Sequence, residues 1–497
     1  MPGAKTLPEL AAIVGGSLRG HLSEDVALDD VTHDSRQAGP GWLFVAIEGE
    51  RFDGHDFVDD VVSRGAPAVC VTHSVTRDVP ELVVDDTRQA LGPLASSVHG
   101  DPSGDLAVVG VTGTNGKTTV AHYVAAIAAG AGVKTGLMGT IHTRLDGETI
   151  EAVRTTPEAS DFQRVLAEMR DKGAALVAVE VSSHGLALGR VRATRFSVAA
   201  FTNLSQDHLD FHGDMDSYLA AKRKLFEEYE VGTAVINIDD PAGKEIASAY
   251  TGDLITVGRE GDVVTSEPHT ESGRTRFELE TPWGSASVDA PLVGAFNVSN
   301  AAVAAASSVA AGLSFADVVE GLGSLRPVPG RFEIVSATNP VLVVVDYAHT
   351  PDGVSKTIAA ARDLNRGRVI ALIGAGGDRD RAKRPLMGRA VSDADLAVIT
   401  SDNPRSEDPE KIAKAVLDGV ALETDVIFDT DRHSAIQRAV DEAEDGDVVL
   451  VLGRGHEPMQ EIGGERHPFD DREIARQALA NRRKSAKSTP ESGSITS

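Results

Sequence analysis

Short apolar runs typical of β-strands recur along the whole chain, and most of them end directly in a polar cluster. TGTNGKTT follows the run 106–111, for example, and SDNPR follows the run 396–400. Helical patterns separate the runs, so the arrangement predicts an α/β fold with largely parallel sheets. Ligands of open α/β sheets bind beyond the carboxyl ends of the strands, so we expect the polar clusters to line one or two facing crevices.

The chain of 497 residues is too long for one ordinary hydrophobic core, and two turn-rich segments divide it. HGDPSGD ends a first section near residue 104, and RPVPG interrupts the pattern at 326–330. We therefore predict a small N-terminal α/β domain (1–104), a central domain with a largely parallel sheet (105–326) and a C-terminal Rossmann-like α/β domain (327–483). The polar segment 484–497 is predicted to be a disordered tail.

The formal net charge of −27 argues against binding to nucleic acid or to an anionic membrane. The N-terminus lacks a basic segment joined to a long apolar core, and no apolar run is long enough to span a bilayer, so we predict a cytoplasmic protein. The single cysteine, Cys70, excludes an intramolecular disulfide and a cysteine-rich metal site, and we expect it to be a small buried hydrophobe.

The stretch GVTGTNGKTTV puts a glycine-rich turn between a strand and a helix. Its backbone N–H groups would bind phosphate oxygens, Lys117 would contact the outer phosphates and Thr118 would offer its hydroxyl to Mg²⁺. The match to the common phosphate-loop pattern is imperfect, because Val111 stands where the first glycine belongs. A glycine-rich turn with a lysine beside it is the alternative. The candidate nucleotide residues are Gly113, Thr114, Asn115, Gly116, Lys117, Thr118 and Thr119.

A nucleotide loop usually needs an acidic side chain at a nearby strand end to hold the metal. Glu180 in LVAVEVSSHG is well situated for that role, although a strand-end glutamate can also simply face water. NLSQDHLDFH, which contains Asp207 and His208, is rich in acids and histidines, but its spacing is not that of a zinc site. On its residues alone this stretch is a hydrogen-bonded loop.

Several motifs occur along the chain in a fixed order: TGTNGKTT, EVSSHGL, FTNLSQDHLDFH, YLAAKRKLF, GAFNVSNAAVA, GRFE, DYAHTPD, GGDRDRAKRP, DNPR and GRGHE. Together they resemble the Mur ligase family, the ATP-dependent amide ligases that build the peptide of bacterial cell-wall precursors. The resemblance covers nearly the whole chain. It implies three domains, with the central one a P-loop-type ATPase domain, and a reaction in which ATP phosphorylates a carboxylate before an amine attacks the acyl phosphate.

The resemblance also implies roles for residues that composition cannot single out. Lys222 in AAKRKLF would be a lysine carbamylated by CO₂, and Lys117, Glu180, His208 and Lys222 would be catalytic, with Lys117 and His208 supplying positive charge. Mg²⁺ would be held by Thr118, Glu180, His208 and Lys222. ATP would further contact Asn297, Asn300, Arg331 and Asp346. A UDP-N-acetylmuramoyl-alanyl-glutamate precursor would contact Ser35, Thr155, Thr156, Ser182 and Arg190.

DNPR resembles the motif of family members that add meso-diaminopimelate, which differs from lysine by a second carboxylate. A guanidinium suits a carboxylate because two parallel N–H bonds can form, and Pro404 would stiffen the approach to Arg405. The implied amino acid site comprises Arg379, Asp402, Asn403, Pro404, Arg405, Gly453 and Glu457. The alternative is that Arg405 pairs with Glu407 or Asp408 in a surface turn.

The chain departs from the family pattern at two positions. Leu188 stands where relatives often have glutamine, and Arg454 replaces the lysine common in the last motif. Two other function classes stay open: a folylpolyglutamate synthetase, which shares the phosphate loop and amide formation, and a nucleotide-binding regulator without turnover. We expect a monomer.

Overall fold

The computed structural model describes residues 4–20, 27–49, 52–75, 78–145, 147–152, 154–271, 273–335, 340–364 and 367–488. Three sheets of mainly parallel strands follow one another along these residues, and helices pack on them. The prediction of an α/β fold is therefore confirmed, while the residue numbers of the domain boundaries stay a prediction. Across the same residues, no helix is long and apolar enough to cross a bilayer.

The first sheet has five strands in the order β2-β7-β6-β5-β4, and β2 alone runs antiparallel to its neighbour. Cys70 lies in β6 and is fully buried, as expected. Two further strands, β1 and β3, form a separate antiparallel pair. The strands of this part of the chain are β1 (Lys5–Thr6), β2 (Ser17–Arg19), β3 (Ala27–Leu28), β4 (Asp30–Thr32), β5 (Trp42–Val45), β6 (Ala68–Val71) and β7 (Glu81–Val83). The helices are α1 (Leu7–Val14), α2 (Val58–Ser63) and α3 (Thr87–Val98).

The central sheet has eight strands in the order β11-β10-β9-β12-β8-β13-β14-β15. Its six strands from β9 to β15 are parallel, and the hairpin β10-β11 adds an antiparallel edge. The strands are β8 (Ala107–Thr112), β9 (Thr135–Met138), β10 (His142–Leu145), β11 (Glu148–Glu151), β12 (Leu176–Glu180), β13 (Phe196–Phe201), β14 (Val231–Asn237) and β15 (Asp253–Val257).

Helices cover both faces of the central sheet, and a small antiparallel sheet adjoins it. The helices are α4 (Lys117–Gly130), α5 (Ala159–Asp171), α6 (Ser183–Ala187), α7 (Leu209–His212), α8 (Met215–Glu227), α9 (Pro241–Ala249), α10 (Ala295–Ala310) and α11 (Phe315–Gly323). The small sheet comprises β16 (Val264–Thr265), β17 (His269–Glu271), β18 (Arg274–Thr281) and β19 (Gly284–Ala290).

The third sheet has the order β20-β21-β25-β22-β23-β24, and all its pairs except β20-β21 are parallel. The strands are β20 (Glu333–Ile334), β21 (Leu342–Asp346), β22 (Val369–Ile373), β23 (Leu396–Ile399), β24 (Asp425–Phe428) and β25 (Val448–Leu452), with a separate hairpin of β26 (Met459–Ile462) and β27 (Glu465–Pro468). The helices are α12 (Pro351–Leu364), α13 (Lys383–Val391), α14 (Pro409–Leu417), α15 (Arg432–Glu442) and α16 (Asp471–Ser488).

The final helix affects one prediction from the sequence. Helix α16 runs to Ser488 and so overlaps the start of the tail predicted from residue 484, whose disorder stays a prediction. The rest of the predicted tail, 489–497, lies outside the described residues.

A fully buried ion pair joins α15 to α16 in the third sheet's core. Nη2 of Arg432 lies 2.6 Å from Oδ2 of Asp471, and Nε lies 2.9 Å from Oδ1, with both side chains 0% exposed. Removing one partner leaves the other charge buried and unpaired. We expect Arg432→Met to lower the free energy of unfolding by about 3–5 kcal/mol, measured by urea denaturation.

A matched control is the pair of Arg438 and Asp429, whose nitrogen and oxygen lie 3.3 Å apart with the Arg438 side chain half exposed. Arg438→Met should cost less than about 1 kcal/mol, because water already solvates the arginine. Equal losses in the two variants would contradict the assignment of the buried pair as a tertiary constraint.

Candidate active site

The glycine-rich turn lies between β8 and α4, at the carboxyl edge of the central sheet. Gly113 and Gly116 have φ angles of 144° and 87°, which favour glycine. A Cβ on Gly113 would lie 1.9 Å from Oγ1 of Thr202, and one on Gly116 would lie 2.4 Å from Oδ1 of Asn300. The turn therefore needs its two glycines, whereas Val111 occupies an ordinary strand position where no glycine is required.

Lys117 begins helix α4 and folds back over the turn. Its Nζ donates to the carbonyl oxygens of Gly113 at 3.0 Å and Thr114 at 2.8 Å. Burial lowers the pKa of Lys117, and the charges of Glu180 and Asp207 oppose that shift. The ammonium group thus lies beside the N-terminus of α4, where the helix dipole also favours an anion.

Glu180 ends β12 and is 0% exposed, so the alternative of a glutamate facing water is wrong. Oγ1 of Thr118 donates to its Oε2 at 2.7 Å, and the backbone N–H of Thr140 donates to its Oε1 at 2.7 Å. Nη2 of Arg331, from the C-terminal part of the chain, donates to Oγ1 of Thr118 at 2.9 Å. The hydroxyl and the carboxylate thus lie side by side next to a guanidinium.

The sequence pattern of its helix indicates a surface position for Lys222, yet this residue is only 1% exposed. Its Nζ donates to the carbonyl of Gly113 at 2.6 Å and lies 4.4 Å from the centre of the Tyr218 ring. Burial and the nearby charge of Lys117 hold the pKa of Lys222 well below its ordinary value. Its amine is therefore far easier to deprotonate than that of an exposed lysine.

One cavity of about 510 Å³ connects these groups. Its wall joins the phosphate turn to side chains from the central and C-terminal sheets. The predicted site residues that line it are Thr114, Asn115, Gly116, Lys117, Thr118, Thr119, Thr155, Glu180, Ser182, His208, Lys222, Asn300, Arg331 and Asp346. The fold thus brings most of the residues predicted to bind ATP and metal to one cavity.

Asn297 and Asn300 lie in the first turns of α10, opposite the phosphate turn. Nδ2 of Asn300 donates to Oδ1 of Asn297 at 3.3 Å, and Nδ2 of Asn297 donates to the carbonyl of Val293 at 2.9 Å. Asn297 thereby orients Asn300, which alone of the two lines the cavity. Asp346 ends β21 and accepts from the backbone N–H of Ala348 at 2.7 Å, and burial raises its pKa.

The donors at the cavity suit a hard cation such as Mg²⁺. The Thr118 hydroxyl and the Glu180 carboxylate are oxygen ligands, and the phosphate turn is adjacent to them. Within the described part of the chain, no group of three or more His, Cys, Asp or Glu side chains is arranged to hold a metal ion. Mg²⁺ usually takes one or two protein carboxylates and completes its shell with water and phosphate, so the sparse donor set fits it.

His208 lines the same cavity. It has a φ angle of 55°, and its ring packs edge-on against that of His184 at 4.8 Å. Burial lowers its pKa to about 3, although the nearby Asp207 opposes the shift. Burial thus opposes the positive charge expected of His208, whose role stays a prediction.

Three of the residues predicted for the precursor form one cluster beneath Glu180. Oγ1 of Thr156 donates to the Glu180 carbonyl at 2.8 Å and lies 3.0 Å from Oγ of Ser182. Nη1 of Arg190 donates to the carbonyl of Thr156 at 3.4 Å, while its Nη2 pairs with Glu158 at 2.8 Å. Ser35 lies apart from them after β4, and its carbonyl accepts from Arg64.

Thr155 extends this group towards the cavity, because its Oγ1 accepts from Oγ1 of Thr140 at 3.1 Å. Thr140 also donates to both oxygens of Glu180, so it links the predicted metal and precursor residues. Sequence reasoning missed Thr140, which follows β9 without any motif around it.

Arg405 lies in the turn after β23 with a φ angle of 52°. Its Nη1 donates to the carbonyl of Gly377 at 2.6 Å, and its Nε lies 3.7 Å from a Glu461 oxygen. Glu407 instead pairs with Arg384 at 2.7 Å, and Asp408 accepts from the N–H of Glu410 at the start of α14. The alternative pairing of Arg405 with Glu407 or Asp408 is therefore wrong.

Arg379 is exposed and lies near Arg405, on the same side of Gly376. A Cβ built on Gly376 would be 3.0 Å from Nη1 of Arg405 and 3.7 Å from Cγ of Arg379. The two guanidinium-bearing side chains thus lie beside one stretch of backbone. That arrangement suits an anionic ligand, since neither arginine has a carboxylate within 3.5 Å among the described ion pairs.

Asn403 connects the rest of the predicted amino acid site. Its Nδ2 donates to Oε2 of Glu457 at 2.8 Å, and its Oδ1 accepts from Nη1 of Arg454 at 3.2 Å. Burial and the charge of Asp402 raise the pKa of Glu457. Gly453 has a φ angle of 112°, and a Cβ there would lie 2.5 Å from Oδ2 of Asp402. Pro404 is buried beside them.

Sequence reasoning also missed a cluster around Asp207. This carboxylate lies 3.0 Å from Nζ of Lys383 and 3.2 Å from Nε2 of His349. Burial alone would raise its pKa, but the hydrogen bond from His349 and the charges of His349 and Lys383 hold the pKa well below the ordinary value. The motifs DHLDFH, DYAH and GGDRDRAKRP contain these residues, but only the fold brings them together.

Three stretches of the chain match models of one family. Residues 28–99 match "Mur ligase family, catalytic domain", residues 111–308 match "Mur ligase middle domain" and residues 330–455 match "Mur ligase, glutamate ligase domain". Among curated proteins, a UDP-N-acetylmuramoyl-L-alanyl-D-glutamate--2,6-diaminopimelate ligase of Aquifex aeolicus (strain VF5) is 44% identical over 450 residues, which are 90% of this chain and 93% of the relative.

Solved structures agree with the sequence matches. A structure of a UDP-N-acetylmuramoyl-L-alanyl-D-glutamate--2,6-diaminopimelate ligase superposes with a TM-score of 0.70 at 30% identity, and the match covers 97% of this chain and 99% of that one. A folylpolyglutamate synthase of Mycobacterium tuberculosis complexed with ADP and AMPPCP has a TM-score of 0.62 at 20% identity, covering 82% and 96% of the two chains, which shows the fold alone. The chain belongs to the Mur ligase family.

Proposed function

We propose that the chain is an ATP-dependent ligase that adds meso-diaminopimelate to UDP-N-acetylmuramoyl-L-alanyl-D-glutamate in peptidoglycan precursor synthesis. The observation that carries this proposal is the 44% identity, over 90% of the chain, to a relative with that name. The geometry is consistent with it, since a phosphate turn and buried lysines share one cavity with side chains of the C-terminal sheet.

The proposed reaction has two steps. The terminal carboxylate of the precursor attacks the γ-phosphorus of ATP, which gives an acyl phosphate and ADP. The amine of the amino acid then attacks the acyl carbon, loses a proton and expels inorganic phosphate. Both steps gather anionic oxygens, so cations held in a water-poor cavity offset that charge most effectively. Lys117 and Arg331 are cationic side chains at the phosphate turn and at Thr118 beside it.

Mg²⁺ would be held by the Thr118 hydroxyl and the Glu180 carboxylate, with His208 and a carbamate on Lys222 as further candidates. When bound, the ion would neutralise phosphate charge and so lower the barrier to phosphoryl transfer. The support for the carbamate is the burial and low pKa of Lys222, because only an unprotonated amine adds CO₂. Its direct contacts, the Gly113 carbonyl and the Tyr218 ring, carry no formal charge.

Arg405 and Arg379 would bind the carboxylate that distinguishes meso-diaminopimelate from lysine. Arg405 is held by the Gly377 carbonyl at 2.6 Å, which leaves the rest of its guanidinium for a ligand. We also propose that the chain works in the cytoplasm, since nucleotide-linked precursors and ATP are cytoplasmic compounds. A monomer is the oligomeric state that we propose.

The decisive experiment measures phosphate release from ATP with the nucleotide-linked dipeptide and either meso-diaminopimelate, lysine or no amino acid, with the product mass checked. We expect release only with meso-diaminopimelate, and a product heavier by that residue. Release with lysine would keep the ligase but overturn its substrate. Release with neither would favour a folate-type ligase or a regulator, which thermal shift with folates would separate, because a ligand stabilises only the state that binds it.

Arg405→Ala tests the source of specificity. We expect kcat/KM for meso-diaminopimelate to fall by about 100-fold or more, while that for lysine gains far less, because a charged carboxylate then lies buried without a partner. Arg381→Ala is the matched control, since that arginine is 74% exposed and pairs with Glu407 at 3.4 Å. Unchanged specificity in Arg405→Ala would remove Arg405 from the site.

Lys222→Ala tests the carbamate. We expect the variant to lose about 100-fold or more in kcat and to recover part of it with added short carboxylates, which replace the missing anion. A second readout is the ¹³C signal of a carbamate in protein equilibrated with ¹³C-bicarbonate. It should be present in the wild type and in Lys224→Ala, a half-exposed lysine of the same helix, and absent from Lys222→Ala.

The pH dependence of that signal follows from the lowered pKa. The amine loses its proton at a lower pH than an exposed lysine does, so the carbamate signal should rise with pH and be already present near neutrality. Turnover like that of the wild type in Lys222→Ala, or an unchanged ¹³C signal, would rule out the carbamate.

A further inference from the structure

Asp207 is a buried charge that the proposed mechanism does not use. It lies between β13 and α7 and is only 4% exposed. Asp207 and its neighbour His208 both line the cavity beside the phosphate turn. A carboxylate in such a position is costly unless cations and hydrogen bonds compensate the loss of water.

Besides His208, two side chains from the C-terminal part of the chain contact the Asp207 carboxylate. Nζ of Lys383 lies 3.0 Å from Oδ1, and Nε2 of His349 lies 3.2 Å from Oδ2. Lys383 is itself 8% exposed. Each oxygen of one central-domain carboxylate is therefore occupied by a different C-terminal side chain, one from the start of α13 and one from the turn after β21.

Other hydrogen bonds cross the same boundary near Asp207. Nε2 of Gln206 donates to Oδ2 of Asp380 at 3.2 Å, and Nδ2 of Asn115 donates to Oγ1 of Thr350 at 3.3 Å. Both start from neutral amides, whereas Asp207 is bonded by a lysine ammonium, and a hydrogen bond between two charged groups is the stronger kind. The contacts of Asp207 are thus one of the charged links between the two parts, beside the bond from Arg331 to Thr118.

The link has a geometric consequence for the amino acid site. Lys383 begins α13 directly after the turn that carries Arg379, and that turn is joined to Asn403 by the bond from the Gly377 N–H to the Asn403 carbonyl at 2.9 Å. Fixing Lys383 against Asp207 therefore fixes the arginine-bearing turns relative to the phosphate turn.

We propose that Asp207 is a positioning residue that, through Lys383 and His349, holds the amino acid site in register with the site of acyl-phosphate formation. This inference rests on the proposed function. It assigns Asp207 no contact with substrate. A buried ion pair of this kind is weak evidence for stability, because a hydrophobic replacement can be equally stable, so its effect belongs to geometry.

Asp207→Asn and Lys383→Met, singly and together, test the proposal. We expect each single variant to raise the apparent KM for the amino acid by about tenfold or more and to lower kcat, with the KM for ATP within about twofold of the wild type. The double variant should be little worse than either single one, because both remove the same link. Gln206→Ala, which removes a neutral bond to the same turn, should stay within about twofold of the wild type.

Binding of ADP and the melting temperature separate positioning from misfolding. Asp207→Asn should bind ADP as the wild type does, and Asp207→Glu should recover part of the amino acid KM because it restores the charge. The proposal is overturned by an unchanged amino acid KM in Asp207→Asn, by additive effects in the double variant, or by an equal effect of Gln206→Ala.

If the proposed function is wrong, the wild-type protein will not use meso-diaminopimelate, and this outcome is distinct from a failure of the positioning role. Small-angle scattering of the protein with a non-hydrolysable ATP analogue then provides the test. We expect Asp207→Asn to be more expanded than the wild type and than Gln206→Ala, and equal radii of gyration in all three would overturn the positioning role.

Discussion

The carbonyl of Gly113 accepts hydrogen bonds from two lysines, Lys117 at 3.0 Å and Lys222 at 2.6 Å. Burial lowers the pKa of both lysines, and the charge of Lys117 lowers the pKa of Lys222 further. The site therefore places two mutually repelling amino groups close together before any anion binds. A carbamate on Lys222 would convert this repulsion into attraction, which gives the proposed modification a physical reason.

The few positive charges of the site stand out against the whole molecule, whose formal net charge is −27. A field of that sign repels anionic substrates at long range, so affinity must come from groups close to the ligand. Lys117, Arg331, Arg379 and Arg405 meet this need at strand ends, where backbone turns hold them. The acids nearby, Glu180 and Asp207, are each fully engaged by hydrogen bonds or cations, so they add little free negative charge to the cavity.

The sequence predicted much of this because periodicity and motifs are local properties. Strand-end clusters and the glycine turn at 113–116 follow from the chain itself, and the fold confirmed the crevice that they predicted. Burial is not local: Lys222 looks exposed in its helix but is 1% exposed, and burial lowers the pKa of His208, for which a positive charge was expected. The sequence also did not reveal contacts between distant segments: Asp207 and Lys383 are in contact although 176 positions separate them along the chain.

The hairpin of β26 and β27 has a consequence beyond its own few residues. The backbone N–H of Arg405 donates to the Glu461 carbonyl at 3.0 Å, and the Arg405 carbonyl accepts from the N–H of Gly463 at 2.7 Å. Arg405 thus forms a one-residue β-bridge with Ile462 of the hairpin. In the proposed site, a change in hairpin length or twist would shift Arg405 without altering any ligand-contacting side chain, so substrate choice could change through residues that do not contact the substrate.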